Sequence, residues 1–334
     1  MSIFLKNKFL VLTITITVLL FSVFTAFKFY NDQRSGLVTQ TRNKVKVGLP
    51  KLASNIYVYA GIENGIFTKY GIELEYVDVN TTVDTVNALI ARNIDVGGYN
   101  SLDTGLNALI GDPTAFKILA TGYERSDTED EFASSIIAKS NSPISNLKDL
   151  EGKKIAVQPG AIATAQLKYV LIKNSVDTNK VEIVQIGVAE HIQTLEAGSI
   201  DAAFAYEPYV SISQTKGYKI VKSGIFSAYY KNAPLAGIFI SSKFIQEKPQ
   251  VAKQVQTALA ESIEYVNQNR ESSLSLLPKY TKIDPEIATK VKIATFFNPT
   301  QIDAENIQKY ADFSASQGII KAKIEVANLI YKPL

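Results

Sequence analysis

From Lys44 onward, short β-branched runs alternate with longer helical patterns, and this order is completed twice. In the first unit Val45–Leu49, Ile72–Val77, Asp95–Tyr99 and Lys117–Ala120 read as strands, with helices over 53–62 and 83–92. In the second, Lys154–Val157, Val181–Val184, Ala202–Ala205 and Tyr218–Val221 read as strands, with helices over 162–173 and 188–197. Such alternation calls for a mostly parallel sheet with helices on its faces, so each unit is an α/β lobe. The units also share a phrase, Leu89-Ile90-Ala91-Arg92-Asn93-Ile94-Asp95 against Leu195-Glu196-Ala197-Gly198-Ser199-Ile200-Asp201. Each copy has a helix end, a turn residue, a buried Ile and an Asp entering a strand of small residues.

After Pro234, a strand-like Leu235–Ile240 leads into helical patterns over 248–269, 271–278, 284–295 and 300–316. These are too many helices and too few strands for a third α/β lobe, so they pack back on the first. The chain is expected to leave lobe 1 near Glu131–Ala138 and to return near Leu235–Ile240. Lobe 1 is then 44–134 plus 237–334 and lobe 2 is 135–236, joined by two extended crossings that act as a hinge.

Ahead of the lobes, Lys6 and Lys8 precede an uncharged run of 19 residues from Phe9 to Phe27. As a helix this spans roughly 28 Å at about 1.5 Å per residue, enough to cross the hydrocarbon core. Ala26 offers a small residue for signal cleavage, but bulky Phe24 two positions earlier favours an uncleaved transmembrane anchor. Residues 28–43 are polar and aperiodic and read as a spacer. The expected location is the extracytoplasmic face of the cell membrane, or a periplasmic or secreted form if the N-terminus is cut.

The formal charge of +3 is concentrated in the first 43 residues, which carry +4 and leave the body at −1. A near-neutral body lacks the basic stripe that displaces counterions from nucleic acid, so no such partner is expected. There is no cysteine. Disulfides, thiolate metal sites, cysteine nucleophiles and a lipidated cysteine are excluded together, and any membrane attachment is through protein.

Three segments carry a resemblance. Gly61-Ile62-Glu63-Asn64-Gly65-Ile66-Phe67-Thr68-Lys69-Tyr70-Gly71-Ile72 ends a helix before the second strand, Leu147-Lys148-Asp149-Leu150-Glu151-Gly152-Lys153-Lys154-Ile155-Ala156-Val157 opens lobe 2, and Ala205-Tyr206-Glu207-Pro208-Tyr209 is an aromatic-x-Pro stretch. With these, the body from about 44 to 334 resembles type 2 periplasmic binding proteins of ABC transporters. The resemblance is to the group that binds aliphatic sulfonates, taurine, nitrate and thiamine-pyrimidine precursors. It implies a two-lobed α/β fold with the ligand cleft between lobes, served by loops at the carboxyl ends of strands, as open α/β sheets also require.

In this sequence those loops carry Ser54 and Asn55, then Tyr99, Asn100 and Ser101, then Tyr123; in lobe 2 they carry Gly160, Ala161 and Thr164, then Tyr206 and Glu207. Gly160 to Thr164 follows a strand and opens a helix, so its backbone N–H groups and positive dipole end suit an anion or a carbonyl oxygen. A simple turn explains Gly160 as well, and Ala161 and Ala163 leave only Thr164 to supply a hydroxyl, which speaks against a sulfonate-like anion. Asn100 and Ser101 suit capping of a helix over 102–110 as much as ligand contact. Glu207, beside Tyr206 and Tyr209, suits an amine or aminopyrimidine with aromatic stacking, and equally a solvated surface carboxylate.

Enzyme chemistry finds little support. The one histidine, His191, reads as a surface or capping residue, with no second His and no Cys for a metal site. Phosphate-loop, nucleophile-elbow and dinucleotide-turn motifs are missing, and no cofactor is expected. The resemblance implies capture of a small organic solute, sulfonate, nitrate-like or aminopyrimidine-like, by hinge closure. Delivery would be to an ABC permease with a separate ATPase. A membrane-anchored sensor built on the same binding body is the other reading.

Overall fold

The computed structural model describes residues 42–124, 133–293 and 295–333, so the 9–27 run and most of the spacer lie outside the described residues. Among the described residues no helix is long and apolar enough to cross a membrane.

Among the described residues eleven strands follow one another as Asn43–Gly48 (β1), Ile72–Val77 (β2), Val96–Ser101 (β3), Phe116–Glu124 (β4), Ser134–Ala138 (β5) and Lys154–Val157 (β6), then Glu182–Gln185 (β7), Ala202–Tyr206 (β8), Lys219–Ser223 (β9), Ala233–Ser241 (β10) and Thr295–Phe296 (β11). They form two sheets, ordered β11-β4-β10-β3-β1-β2 and β7-β6-β8-β5-β9. In the first, β1 runs parallel to β2 and β3. In the second, β6 runs parallel to β7 and β8. The connecting strands are antiparallel members, β10 lying between β3 and β4 and β5 between β8 and β9, and β11 pairs antiparallel with β4 at the edge. The fold is therefore two α/β lobes, with mixed sheets where the chain passes between them.

The run Leu235–Ile240, expected to be extended, lies within β10, but the chain ahead of it holds a helix absent from the sequence reading. Between β9 and β10 the chain makes the short helix Ile225–Tyr229, entered through Gly224 at φ 63°. The helix expected over 284–295 is also cut short, to Pro285–Ala288. Beyond it the chain is drawn out, because Lys292 is bonded to Glu207 and β11 pairs with β4.

One apolar cluster runs through both lobes, taking Leu102, Leu106 and Tyr310 from the first and Leu167, Val170 and Phe204 from the second. The far face of each sheet has a cluster of its own. Because the shared cluster reaches both sheets, the facing edges are held close.

The repeated phrase folds the same way in both lobes. Asp95 N–H donates to Lys46 O while Lys46 N–H donates to Asp95 Oδ2, both at 2.8 Å. Asp201 and Lys154 repeat the exchange, again at 2.8 Å in each direction. The turn residue is left-handed in each copy, Arg92 at φ 63° and Gly198 at φ 73°. A Cβ in that conformation costs roughly 1 kcal/mol that glycine avoids. Arg92→Gly is therefore expected to raise the unfolding free energy by about 1 kcal/mol in urea titration, and Gly198→Arg to lower it by a similar amount. A destabilised Arg92→Gly protein would contradict the strain assignment.

Candidate functional site

Between the sheets lies a cavity of roughly 420 Å³. Its wall is made by the loops that leave β1, β2 and β3 on one side and β6 and β8 on the other, joined by segments around Lys292 and Ile319.

Of the residues singled out in lobe 1, Ser54, Tyr99 and Ser101 reach this wall. Asn55 is buried beneath it, where Nδ2 donates to Pro50 O at 2.7 Å and Oδ1 accepts from Tyr99 N–H at 2.8 Å. It thus staples the β1 loop to β3 and stands behind the wall. Asn100 is buried too and donates to Gly98 O. Ser101 Oγ accepts from Thr104 N–H at 3.4 Å, capping Leu102–Gly111, and the residue also borders the cavity. Tyr123 has its backbone in β4, and its side chain lies outside the described residues.

In lobe 2, Gly160 lies in the wall at the start of the helix Ala161–Lys173. Its N–H donates to Gln185 Oε1 at 3.1 Å, so one donor expected to be open is engaged. The side chain of Ala161 lies outside the described residues. Thr164 Oγ1 turns back to Gly160 O at 3.5 Å, so the expected hydroxyl serves its own helix, and the wall here is Ile162 and Ala163. Tyr206 lines the cavity and stacks on Phe226 with ring centres 5.4 Å apart.

Glu207 also borders the cavity, but it is only 4% exposed and already has partners. Its Oε2 accepts from Ser211 N–H at 3.0 Å, and its Oε1 accepts from Ser211 Oγ at 2.9 Å and Lys292 N–H at 3.2 Å. The solvated reading is thereby excluded, and the side chain instead ties the helix Tyr209–Thr215 to the Lys292 segment. Burial pushes its pKa up to about 7, against donors that favour the charged form.

His191 is a correction to the sequence reading. It is fully buried at the start of His191–Glu196, with Nε2 2.9 Å from Ile186 O, and burial pushes its pKa down to about 4. A short turn, Val188–Glu190, precedes the helix and places the ring inside the lobe, away from solvent. It does not belong to the cavity wall.

Several wall residues were not anticipated. Asn80 to Val83 follow β2, and Thr81 forms a capping box with Asp84, whose Thr-x-x-Asp spacing was readable in the sequence. Gln166 lies within the helix Ala161–Lys173, one turn past its start. Lys292 and Lys321 come from C-terminal segments with no local signal. Together with Glu207 these lysines are the charged side chains of the described wall.

A cleft between the facing edges of two such sheets is the architecture of two-lobed binding proteins. Residues 53–273 match the NMT1/THI5-like family, and the chain belongs to it. A Bacillus subtilis protein named for the binding of aliphatic sulfonates is 23% identical over 295 residues, covering 86% of this chain and 85% of that protein. The periplasmic aliphatic sulphonate binding protein SsuA from Escherichia coli shares the fold with a TM-score of 0.69 at 19% identity, covering 87% of this chain and 92% of that one. The ligand-binding component of an ABC-type import system from Staphylococcus aureus, solved with zinc bound, gives 0.72 at 14% identity, covering 87% and 97%. The desulfurization enzyme DszB also shares the fold, at 0.64 and 15% identity over 86% of this chain and 95% of that one, so the fold alone does not separate binding from catalysis.

The raised pKa of Glu207 has a definite sign. The native state keeps the proton between about pH 4.5 and 7 while the unfolded chain has lost it, so the stabilisation is complete below 4.5 and disappears as pH rises through 7. Wild-type protein should lose about 2–3 kcal/mol more than Glu207→Gln between pH 5 and 8, in denaturant titrations at each pH. Parallel pH profiles for the two proteins would contradict it.

Proposed function

We propose that the chain is the extracytoplasmic substrate-binding component of an ABC importer and that it captures a small organic solute bearing an anionic group. The cavity carries this reading, because its wall is drawn from the strand-end loops of both lobes. A ligand that touches both lobes binds best when they are closed, and differential contact of this kind turns occupancy into a change of shape. The hinge would lie at the two crossings between the lobes, with residues 9–27 as the tether and a permease with its ATPase as partners.

The anionic preference follows from charge. Two lysines face one carboxylate in the wall, and that carboxylate is held by Ser211 and the Lys292 backbone and has a raised pKa. Three helices, Thr82–Ile90, Leu102–Gly111 and Ala161–Lys173, begin at the cavity and add their positive ends. Tyr99, Tyr206 and Phe226 supply a surface for an apolar or flat remainder. The names of the Bacillus subtilis and Escherichia coli relatives, given for sulfonates, point the same way. Ser54, Tyr99, Ser101, Gly160 and Tyr206 are the proposed contacts, whereas Asn55, Asn100 and Thr164 brace the wall from behind and Glu207 ties its segments together. An amine or aminopyrimidine loses the partner proposed for it in Glu207. An enzyme reading finds no cysteine nucleophile in the chain, and His191 stands outside the wall.

The test is thermal unfolding of the full chain against alkanesulfonates, nitrate, aminopyrimidines, amino acids and simple amines. A ligand at a hundred times its Kd stabilises by about 2.7 kcal/mol, so a saturable rise with an alkanesulfonate or a related anion is expected. Lys292→Ala and Lys321→Ala should each weaken it about tenfold, at roughly 1.4 kcal/mol. A rise confined to amines would overturn the anionic assignment, and no rise with any compound would overturn the binding role.

A further inference from the structure

Asp103 is a carboxylate that the binding reading leaves unused. It is 1% exposed, in the first turn of Leu102–Gly111. Its Oδ2 accepts two hydrogen bonds, from Tyr310 OH at 2.6 Å and from Gln166 Nε2 at 2.9 Å. Tyr310 is on the helix Ala304–Ser316, which belongs with the first lobe, whereas Gln166 is on Ala161–Lys173 of the second. Gln166 is 4% exposed and forms part of the cavity wall. One side chain therefore borders the ligand space and crosses to the opposite lobe.

We propose that Gln166 and Asp103 form the latch that holds the lobes closed, with Gln166 the positioning residue through which the cavity wall senses that closure. Tyr310 fixes the carboxylate from its own lobe, so closing orders only the Gln166 side chain. The bond is made out of water, where a hydrogen bond to a carboxylate is strong, and opening returns both groups to solvent. Neighbouring contacts tie Ala304–Ser316 to Ala161–Lys173 and to the short helix Ile225–Tyr229. Tyr169, one turn beyond Gln166, packs edge-on against Phe313 with ring centres 5.4 Å apart, and Tyr229 OH lies 3.0 Å from Ser314 Oγ. A ligand against Gln166 meets an amide already anchored in the closed state and an unanchored one in the open state, which is the differential contact that a population shift needs. This meaning in binding rests on the reading of the cleft given above, while the closure equilibrium itself can be measured with no ligand present.

The chain has no cysteine, so spin labels on Asp78→Cys and Ala189→Cys, exposed positions on the two sides of the cleft, would be the only ones on the full-length protein. Electron–electron resonance then reads the short-distance and long-distance populations in the empty protein. Wild type should show a short-distance population, Gln166→Ala should lower the short-to-long ratio about tenfold, and Gln166→Glu, which sets carboxyl against carboxyl, should lower it further. The double substitution Asp103→Asn with Gln166→Glu restores a donor–acceptor pair and should recover most of the ratio. A merely structural role would change the thermal midpoint of the variants and leave the ratio and its recovery unmoved. An unchanged ratio in Gln166→Ala, no recovery in the double variant, or an empty wild-type protein with no short-distance population would each overturn the latch. Because no ligand is added, these results stand apart from the outcome of the ligand panel.

Discussion

Phe239 is fully buried on β10, and the first sheet closes around it only because two neighbours lack side chains. A Cβ on Gly105 would come within 2.3 Å of the Phe239 ring, and one on Gly237 within 2.6 Å. Those two absences let a returning strand settle in the middle of the first sheet, antiparallel to β3 and β4. The consequence reaches the whole body. Strand β4 leads out of lobe 1 and β10 leads back beside it, with Ala233 opposite Glu124. In lobe 2 the entering and leaving strands are also neighbours, with Ser135 opposite Ser223. Two adjacent connections bend together, which suits a hinge better than a single linker or two distant ones.

The same insertion decides what the cleft is made of. With β10 in place, the helices after β3 and β6 face each other, and Asp103 and Gln166 meet between them. On another part of the wall, Glu207 binds the backbone of Lys292, so the chain that follows Pro285–Ala288 becomes a side of the cavity. Buried carboxylates are thus used to join segments from different lobes, and the wall's remaining charge is left to lysines.

Much of this was legible in the residues. Strand and helix order, the doubled lobe and the return near Leu235 follow from β-branched runs and from a phrase whose two Asp residues make matching main-chain bonds. The loops that border the cavity were also placed, since strand ends in α/β sheets can be counted along a sequence. Less legible was which face of a loop each side chain takes. Asn55 and Thr164 occupy the expected loops yet bond inward, and Glu207 is satisfied by Ser211 four residues ahead and Lys292 far along the chain. Contacts such as Tyr310 with Asp103 join residues 207 positions apart and leave no local pattern. His191 was misjudged for a related reason, because a polar residue at a helix start reads as exposed until the turn before it is known.

A single ligand space shared by two lobes is what the whole arrangement serves. Hydrogen–deuterium exchange of the full chain, with and without whichever compound raises its unfolding midpoint, tests this most directly, because amide protection is read segment by segment. Protection should appear together on both sides of the cleft, at the loops after β1, β2 and β3 and at those after β6 and β8, with the sheet cores unchanged. Protection restricted to one lobe, or centred away from the cavity, would contradict the account.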